Sequence, residues 1–252
     1  RSTLFPYTTL FRSTNRRPDN AEMAFNQPRF QRVVTLAASP FKRCQSTKGI
    51  FMNTKTAQTC RCSLKDLFSP DVSKLSFDER VTRLKTIARI LRTDVINMVY
   101  TAQSGHIGGS LSAADFVAAL YFDLMNIDPA QPHWLERDRF VLSKGHACPI
   151  WYAALARRGF FPVEELKTLR KNDSRLQGHP IATYLPGLDA STGSLGIGYG
   201  QAVGIAMEGK LVSKKDYKVY VVLGDGEINE GIVWEASMAA AKYELDNLVA
   251  GW

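Results

Sequence analysis

The chain has 252 residues, 45% of them apolar and 22% charged, enough to bury one large core or two modest ones and too apolar for global disorder. No apolar run approaches the ~18–20 residues that a membrane-spanning helix needs, which excludes a helical integral membrane protein. The net charge of +8 suggests a nucleic-acid partner only until it is located: residues 1–63 hold eleven Lys and Arg against Asp19 and Glu22, a charge of +9, and residues 64–252 are left at −1, with no general field for gripping a polyanion.

The chain opens without a Met, and Arg1-Ser-Thr-Leu-Phe5 recurs in fragments as Thr9-Leu-Phe-Arg-Ser13. Residues 1–13 resemble a translated sequencing adaptor and are set aside from fold reasoning. From Met23 to Lys65 eight bases meet no acid, among many Ser, Thr and Gln. That composition reads as an organellar transit peptide, or as translated non-coding sequence upstream of a start at Met52. Either way, residues 1–62 are expected to be a non-native start plus a disordered basic leader, and 63–252 the folded domain. Cys44, Cys60 and Cys62 fall in the leader, and Cys60-Arg-Cys62 is too tight for a CxxC zinc knuckle. A body with Cys148 alone has no disulfide framework and favours a reducing compartment. The expected location is the cytoplasm, or an organelle if the leader is a true transit peptide.

Order is expected from about Leu64. Val81, Leu84, Ala88, Leu91, Val95, Met98 and Ala102 alternate spacings of three and four, with Ile87, Ile90 and Val99 widening the stripe. This predicts a long amphipathic helix with a broad buried face. Ser104-Gly-His-Ile-Gly-Gly-Ser110 reads as a loop, and Ser112-Ala-Ala-Asp115 as a capping box opening a second helix to about Met125. Arg139–Ser143 reads as a strand, followed by Lys144-Gly145-His146 and a helix to Gly159. A short helix is expected over 162–170, a long loop over 171–195, and a Gly/Ala-rich helix over about 197–212. Lys218–Leu223 is a buried-type strand that runs into Gly224-Asp-Gly226; a helix from Asn229 or Glu230 to about Leu245 and a strand from Asn247 complete the pattern. Apolar strands alternating with helices predict an α/β fold, a parallel sheet flanked by helices on both faces. Ligands of such folds sit at the carboxyl ends of strands.

Two segments with chemistry lie at such ends. Gly224 and Gly226 let the chain turn sharply and bring backbone close to a ligand, and Asp225 between them suits Mg²⁺ or Ca²⁺. The helix that follows offers its N-terminus to an anion such as phosphate. An ordinary Asp-Gly turn is the plainer reading. His106, His146 and His179 each sit in a glycine-containing loop, whereas His133 follows Pro132 in a polar linker. Their wide spacing gives no local zinc motif and suits hydrogen bonding to hydroxyls or phosphates, or proton transfer. Glu227 reads as an acid in a helix first turn and Glu230 is more open; Lys144 reads as a solvated loop lysine or a phosphate ligand. No Walker loop, hydrolase elbow or dinucleotide fingerprint is present.

Ser104-Gly-His-Ile-Gly-Gly-Ser110, Arg137-Asp-Arg-Phe-Val-Leu-Ser-Lys-Gly-His146, Gln177-Gly-His-Pro180, Ser191-Thr-Gly-Ser-Leu-Gly196 and Gly224-Asp-Gly-Glu-Ile-Asn-Glu-Gly231 occur in this order. Together they resemble the N-terminal, diphosphate-binding part of transketolases, over roughly residues 75–250, and in particular the short N-terminal subunits of split bacterial transketolases. The resemblance implies a transferase that uses thiamine diphosphate and Mg²⁺ to pass a two-carbon ketol unit from a ketose phosphate to an aldose phosphate. Asp225 matches the metal ligand, and Gly224 and Gly226 its diphosphate-side neighbours. His146 matches a diphosphate-side histidine, and Gly193 and Leu195 match backbone positions facing the aminopyrimidine. His106 and His179 match substrate-side histidines, and Glu230 a carboxylate at the dimer interface.

The same resemblance implies a partner, the C-terminal pyrimidine-domain subunit that carries the catalytic glutamate, in a homodimer or heterotetramer, with no nucleic acid or membrane involved. It places a second metal ligand, an Asn, about three residues beyond Trp252, and apolar strand residues where Gly251-Trp252 stand. The domain is therefore expected to be truncated at its C-terminus and inactive alone. A deoxyxylulose-phosphate-synthase-like enzyme and a non-catalytic partner-binding remnant stay open, although the Lys-Gly-His and Gln-Gly-His-Pro contexts favour transketolase over the former.

Overall fold

Ser76 and Glu79 begin the first long helix by capping each other: the Glu79 N–H donates to Ser76 Oγ (3.4 Å) and the Ser76 N–H to the Glu79 carboxylate (2.8 Å). In this computed structural model residues 67, 68, 72 and 74–252 are described. The leader assigned to 1–62 and the domain boundary at 63 lie outside them. Helix α1 (Phe77–Ala102) buries Leu84, Ile87, Ala88, Leu91, Val95, Met98 and Val99, the stripe its spacing predicts. Gln103 ends it in the left-handed conformation (φ 47°).

Three charged residues of α1 hold the neighbouring elements. Asp94, buried on the apolar face, takes both arms of the Arg157 guanidinium (2.8 and 2.8 Å). Arg80 grips Asp123 (2.6 to 2.8 Å) and Arg92 reaches Asp115. Forked pairs of this kind are strong because each proton finds its own oxygen. The Arg92–Asp115 pair also overturns the expected capping box. The second helix starts earlier, as α2 (Ile107–Ser112) with His106 at its N-cap, and α3 (Ala114–Ala119) continues after Ala113. Ser112 Oγ turns back to the Gly109 carbonyl, and Asp115 goes to Arg92. Only Ser104-Gly105-His106 stays a loop, turned by Gly105 at φ +138°.

A π-helical turn (Leu120–Leu124) ends α3, and β1 (Arg139–Leu142) leads through a 3₁₀ turn (Gly145–Ala147) into α4 (Cys148–Arg158). The expected helix over 162–170 is a 3₁₀ segment, Val163–Thr168. Helix α5 (Ile197–Met207) runs on as a π-helix to Ser213, then come β2 (Val219–Val222), a 3₁₀ turn (Glu227–Asn229), α6 (Gly231–Lys242) and β3 (Leu248–Gly251). The strands are parallel in the order β1-β2-β3, with Phe140 opposite Tyr220 and Val221 opposite Ala250. Gly251 is part of β3 rather than an interruption of it. A side chain there would press 3.0 Å from the Phe116 ring.

The strands are buried on both faces and their side chains alternate between two cores. Phe140, Leu142, Tyr220 and Val222 pack with α1, α3 and α4. Val141, Val219, Val221 and Leu223 pack with α5 and α6. Helices on both faces are therefore the observed arrangement. At the centre of the first core the Trp151 ring meets Phe140 edge-on and its N–H donates to the Tyr121 hydroxyl (2.6 Å), so the indole's polar atom is satisfied. Among the described residues no helix is long and apolar enough to cross a membrane.

Two faces of α1 provide a test. Leu91→Ala, at a side chain with 0% exposure, is expected to cost ~2–5 kcal/mol of unfolding free energy, and Ile96→Ala, at 48% exposure, within about 0.5 kcal/mol. Urea titration of both variants measures the difference, and equal losses would contradict the packing of α1.

Candidate functional site

The site is built where β1 and β2 stop. Beyond Leu142 the chain turns at Ser143, and beyond Leu223 at Gly224. Glu227 holds the two turns together: its carboxylate, 1% exposed, accepts from Ser143 Oγ (2.5 Å), from the Gly224 N–H (2.8 Å) and from the Gly196 N–H at the head of α5 (2.7 Å). The β1 corner is tightened from the other side. Thr192 Oγ1 donates to the Leu142 carbonyl (2.8 Å), and a Cβ on Gly145 would fall 2.6 Å from the Thr192 carbonyl oxygen. A Cβ on Gly198 would lie 2.6 Å from Ser143 Cα. These glycines are required by close backbone approach.

The three glycine-loop histidines gather at this corner, two in contact and the third within electrostatic reach. The His106 and His146 rings are in edge contact, centroids 5.3 Å apart. Gly109 forms a wall beside His146, where a Cβ would stand 3.4 Å from Nε2, and Gly193 faces the His179 ring at 3.6 Å in the same sense. The loop bearing His179 hangs from α4: the Cys148 thiol donates to the Gln177 and Gly178 carbonyls and the Tyr152 hydroxyl to Gln177 (2.9 Å). Burial lowers the affinity of His146 for a proton, and the positive charges of His106, Lys144 and His179 lower it further, against an opposing pull from Glu227. His179 is lowered by burial, then by Arg170 and His106. Both imidazoles are thus held toward the neutral form, which can accept a proton. Burial pushes the Cys148 thiol up to about 12, so it stays protonated.

Asp225 stands exposed between Gly224 and Gly226, and a Cβ on Gly226 would meet nothing within 4 Å. Lys144 runs beside Gly224 toward Asp225 and Glu227. It is 8% exposed, and burial lowers its proton affinity while those two carboxylates raise it. The solvated-loop reading of Lys144 is therefore incorrect. So is the reading of Glu227 as an acid that merely decorates a helix start. Glu230 is the exposed N-cap of α6, beside Gly196, and none of the described contacts joins it to the histidines. Leu195 is half-buried in the turn before α5.

These residues suit an anionic, metal-bridged group: an exposed carboxylate over open space, a buried ammonium, and an imidazole alongside. Among the described residues no group of three or more His, Cys, Asp or Glu could hold a metal by itself. A divalent ion there would be held by Asp225 together with oxygens that the other described His, Cys, Asp and Glu residues do not supply.

Residues 82–252 match the family model described as "Transketolase, thiamine diphosphate binding domain". This chain belongs to the transketolase family. It is 49% identical over 175 residues to the transketolase of Mus musculus, covering 68% of this chain and 27% of that protein. It is 47% identical over 159 residues to one subunit of the apulose-4-phosphate transketolase of Phocaeicola vulgatus, covering 63% of this chain and 56% of that protein. The transketolase from Leishmania mexicana superposes with a TM-score of 0.64 at 34% identity, over 66% of this chain and 26% of that one. The chain thus spans about a quarter of the length of the mouse transketolase and just over half of the Phocaeicola protein.

The transketolase-type corner generates two predictions. Glu227→Gln keeps the shape but sets an amide against donors, and should cost ~1–3 kcal/mol. Thermal unfolding measures it, and an unchanged midpoint would show that the carboxylate does not hold the strand ends. The second concerns pH. His146 and His179 sit below the ordinary value of 6.5, so the unfolded chain binds more protons. Their contribution to stability is full above pH 6.5 and is lost as the pH falls through their lowered folded values. The melting temperature should therefore fall on acidification from pH 7, and less steeply in His146→Gln and His179→Gln.

Proposed function

We propose that this chain is the diphosphate-side part of a transketolase and transfers a two-carbon ketol unit from a ketose phosphate to an aldose phosphate, with thiamine diphosphate and Mg²⁺, together with a pyrimidine-domain partner subunit. The observation that carries the reading is that His106 touches His146 beyond the end of β1, with His179 within electrostatic reach of both and Lys144 between His146 and Asp225. Thiamine diphosphate, when bound, supplies an electron sink for breaking a carbon–carbon bond. Asp225 would hold the metal, with Lys144 and His146 beside the diphosphate and Gly193 and Leu195 at the pyrimidine side. His106 and His179 would orient sugar hydroxyls and move protons at them.

Two features support the partner. The Phocaeicola relative is named as one subunit of its enzyme rather than as the whole of it. Around Glu230 the exposed surfaces of α5 and α6 also carry Ile197, Ile232, Trp234 and Met238, apolar groups of the kind that an interface covers. A reducing compartment such as the cytoplasm fits the buried free thiol of Cys148.

The test pairs this chain with a pyrimidine-domain transketolase subunit. Calorimetry should show thiamine diphosphate binding that needs Mg²⁺ and is lost in Asp225→Ala. His106→Ala and His179→Ala should lower two-carbon transfer by ~10²–10⁴-fold with cofactor affinity nearly intact, and loss of His146 should weaken diphosphate binding first. Normal turnover with both His106 and His179 replaced would overturn their roles. A parent pair that never turns over would make the chain a partner-binding remnant.

A further inference from the structure

Among the described residues, Arg170 is the one cation whose side chain reaches both loops that bear the substrate-side histidines. It follows the 3₁₀ segment Val163–Thr168 in the left-handed conformation (φ 57°), which L residues seldom adopt. Its backbone N–H closes on the Leu176 carbonyl (2.8 Å), folding residues 170–176 into a loop that returns the chain to Gln177-Gly178-His179. Ser174 fastens that loop, with its hydroxyl accepting from the Leu176 N–H (3.0 Å) and its carbonyl from the Gln177 amide (2.7 Å). The guanidinium then does two things. Nη1 donates to Ser104 Oγ (2.9 Å), two residues before His106. Its plane lies across Gly178, where an added Cβ would stand 2.8 Å from Cζ, Nε and Nη2 together. A side chain at position 178 would displace the guanidinium, so the glycine next to His179 is part of the same arrangement.

We propose that Arg170 is a positioning residue for this reaction: its guanidinium clasps the loop of His106 to the loop of His179 and holds its positive charge beside that ring. The inference rests on the reading that these two histidines face the substrate. An arginine suits the task because its rigid fork can donate at one edge while its face lies on a backbone, and its charge persists at every working pH. The charged and titratable groups facing His179 are Arg170 and His106, with His146 beyond; all are cationic when charged. Arg170 is the permanent charge among them and favours the proton-accepting form of His179.

Histidine side-chain NMR of the chain, titrated with pH, tests this without cofactor or turnover; His179 is assigned from the spectrum of His179→Gln. In Arg170→Met the titration midpoint of His179 should move upward, and the His106 signals should shift. Arg170→Lys keeps the charge but not the fork. It should leave the His179 midpoint near that of the parent while His106 shifts as in Arg170→Met. Ser104→Ala, the loss of one exposed hydroxyl, should move the His106 signals and leave the His179 midpoint in place. A His179 midpoint that stays or falls in Arg170→Met overturns the proposal. So do His106 signals unmoved in Ser104→Ala, and that variant decides alone if Arg170→Met does not fold. Failure to bind thiamine diphosphate would overturn the functional reading and leave this titration intact.

Discussion

The Glu227 carboxylate, sealed from solvent, accepts hydrogen bonds from Ser143 beyond β1, Gly224 beyond β2 and Gly196 at the head of α5, where the last backbone bonds of the sheet run from Ser143 to Val222 and from Leu223 to Gly251. In a parallel sheet the ladder stops where the strands stop, and the turns beyond it must find other partners. Here one anion ties three of them together. Its position dictates where Ser143 begins the turn toward His146 and where Gly224 delivers Asp225. A buried carboxylate is tolerated only if its oxygens are well used, and three short bonds meet that requirement.

Lys144 is the counterpart of that anion. Its ammonium is drawn out of water beside Asp225 and Glu227, at a cost that the two carboxylates only partly offset. Lys144 therefore faces two carboxylates, one buried and one, Asp225, exposed on the open side. In the proposed function a diphosphate would sit beside Lys144, and a divalent ion held by Asp225 would offset the repulsion between that carboxylate and the anion.

Much of this was legible in the sequence. The three–four spacing of Leu84 to Met98 defines α1 because a helix repeats every 3.6 residues. The strands read as unbroken apolar runs because both faces are covered. The histidine loops are visible because glycines flank them and because the five motifs follow a family order. What escaped was tertiary. Ser112 and Asp115 have the local form of a cap, but Arg92, on another helix, takes the acid. Glu227 and Lys144 look like surface charges because nothing nearby in sequence announces burial. Glu227 finds one partner 31 positions away and another 84 away. Charged side chains usually stay in water, and those that do not are recognised only when the chain has folded around them.

The loop of His179 is suspended from α4 by two side-chain donors, the Cys148 thiol and the Tyr152 hydroxyl, rather than by a ladder of backbone bonds. Such a suspension can let go as a unit without disturbing the sheet. While it is closed the thiol is buried and protonated, and it offers no nucleophile to an alkylating reagent. Lifting the loop would remove both of the acceptors that cover the sulfur. The rate at which Cys148 is labelled would therefore report on the hold of α4 over the loop that bears His179.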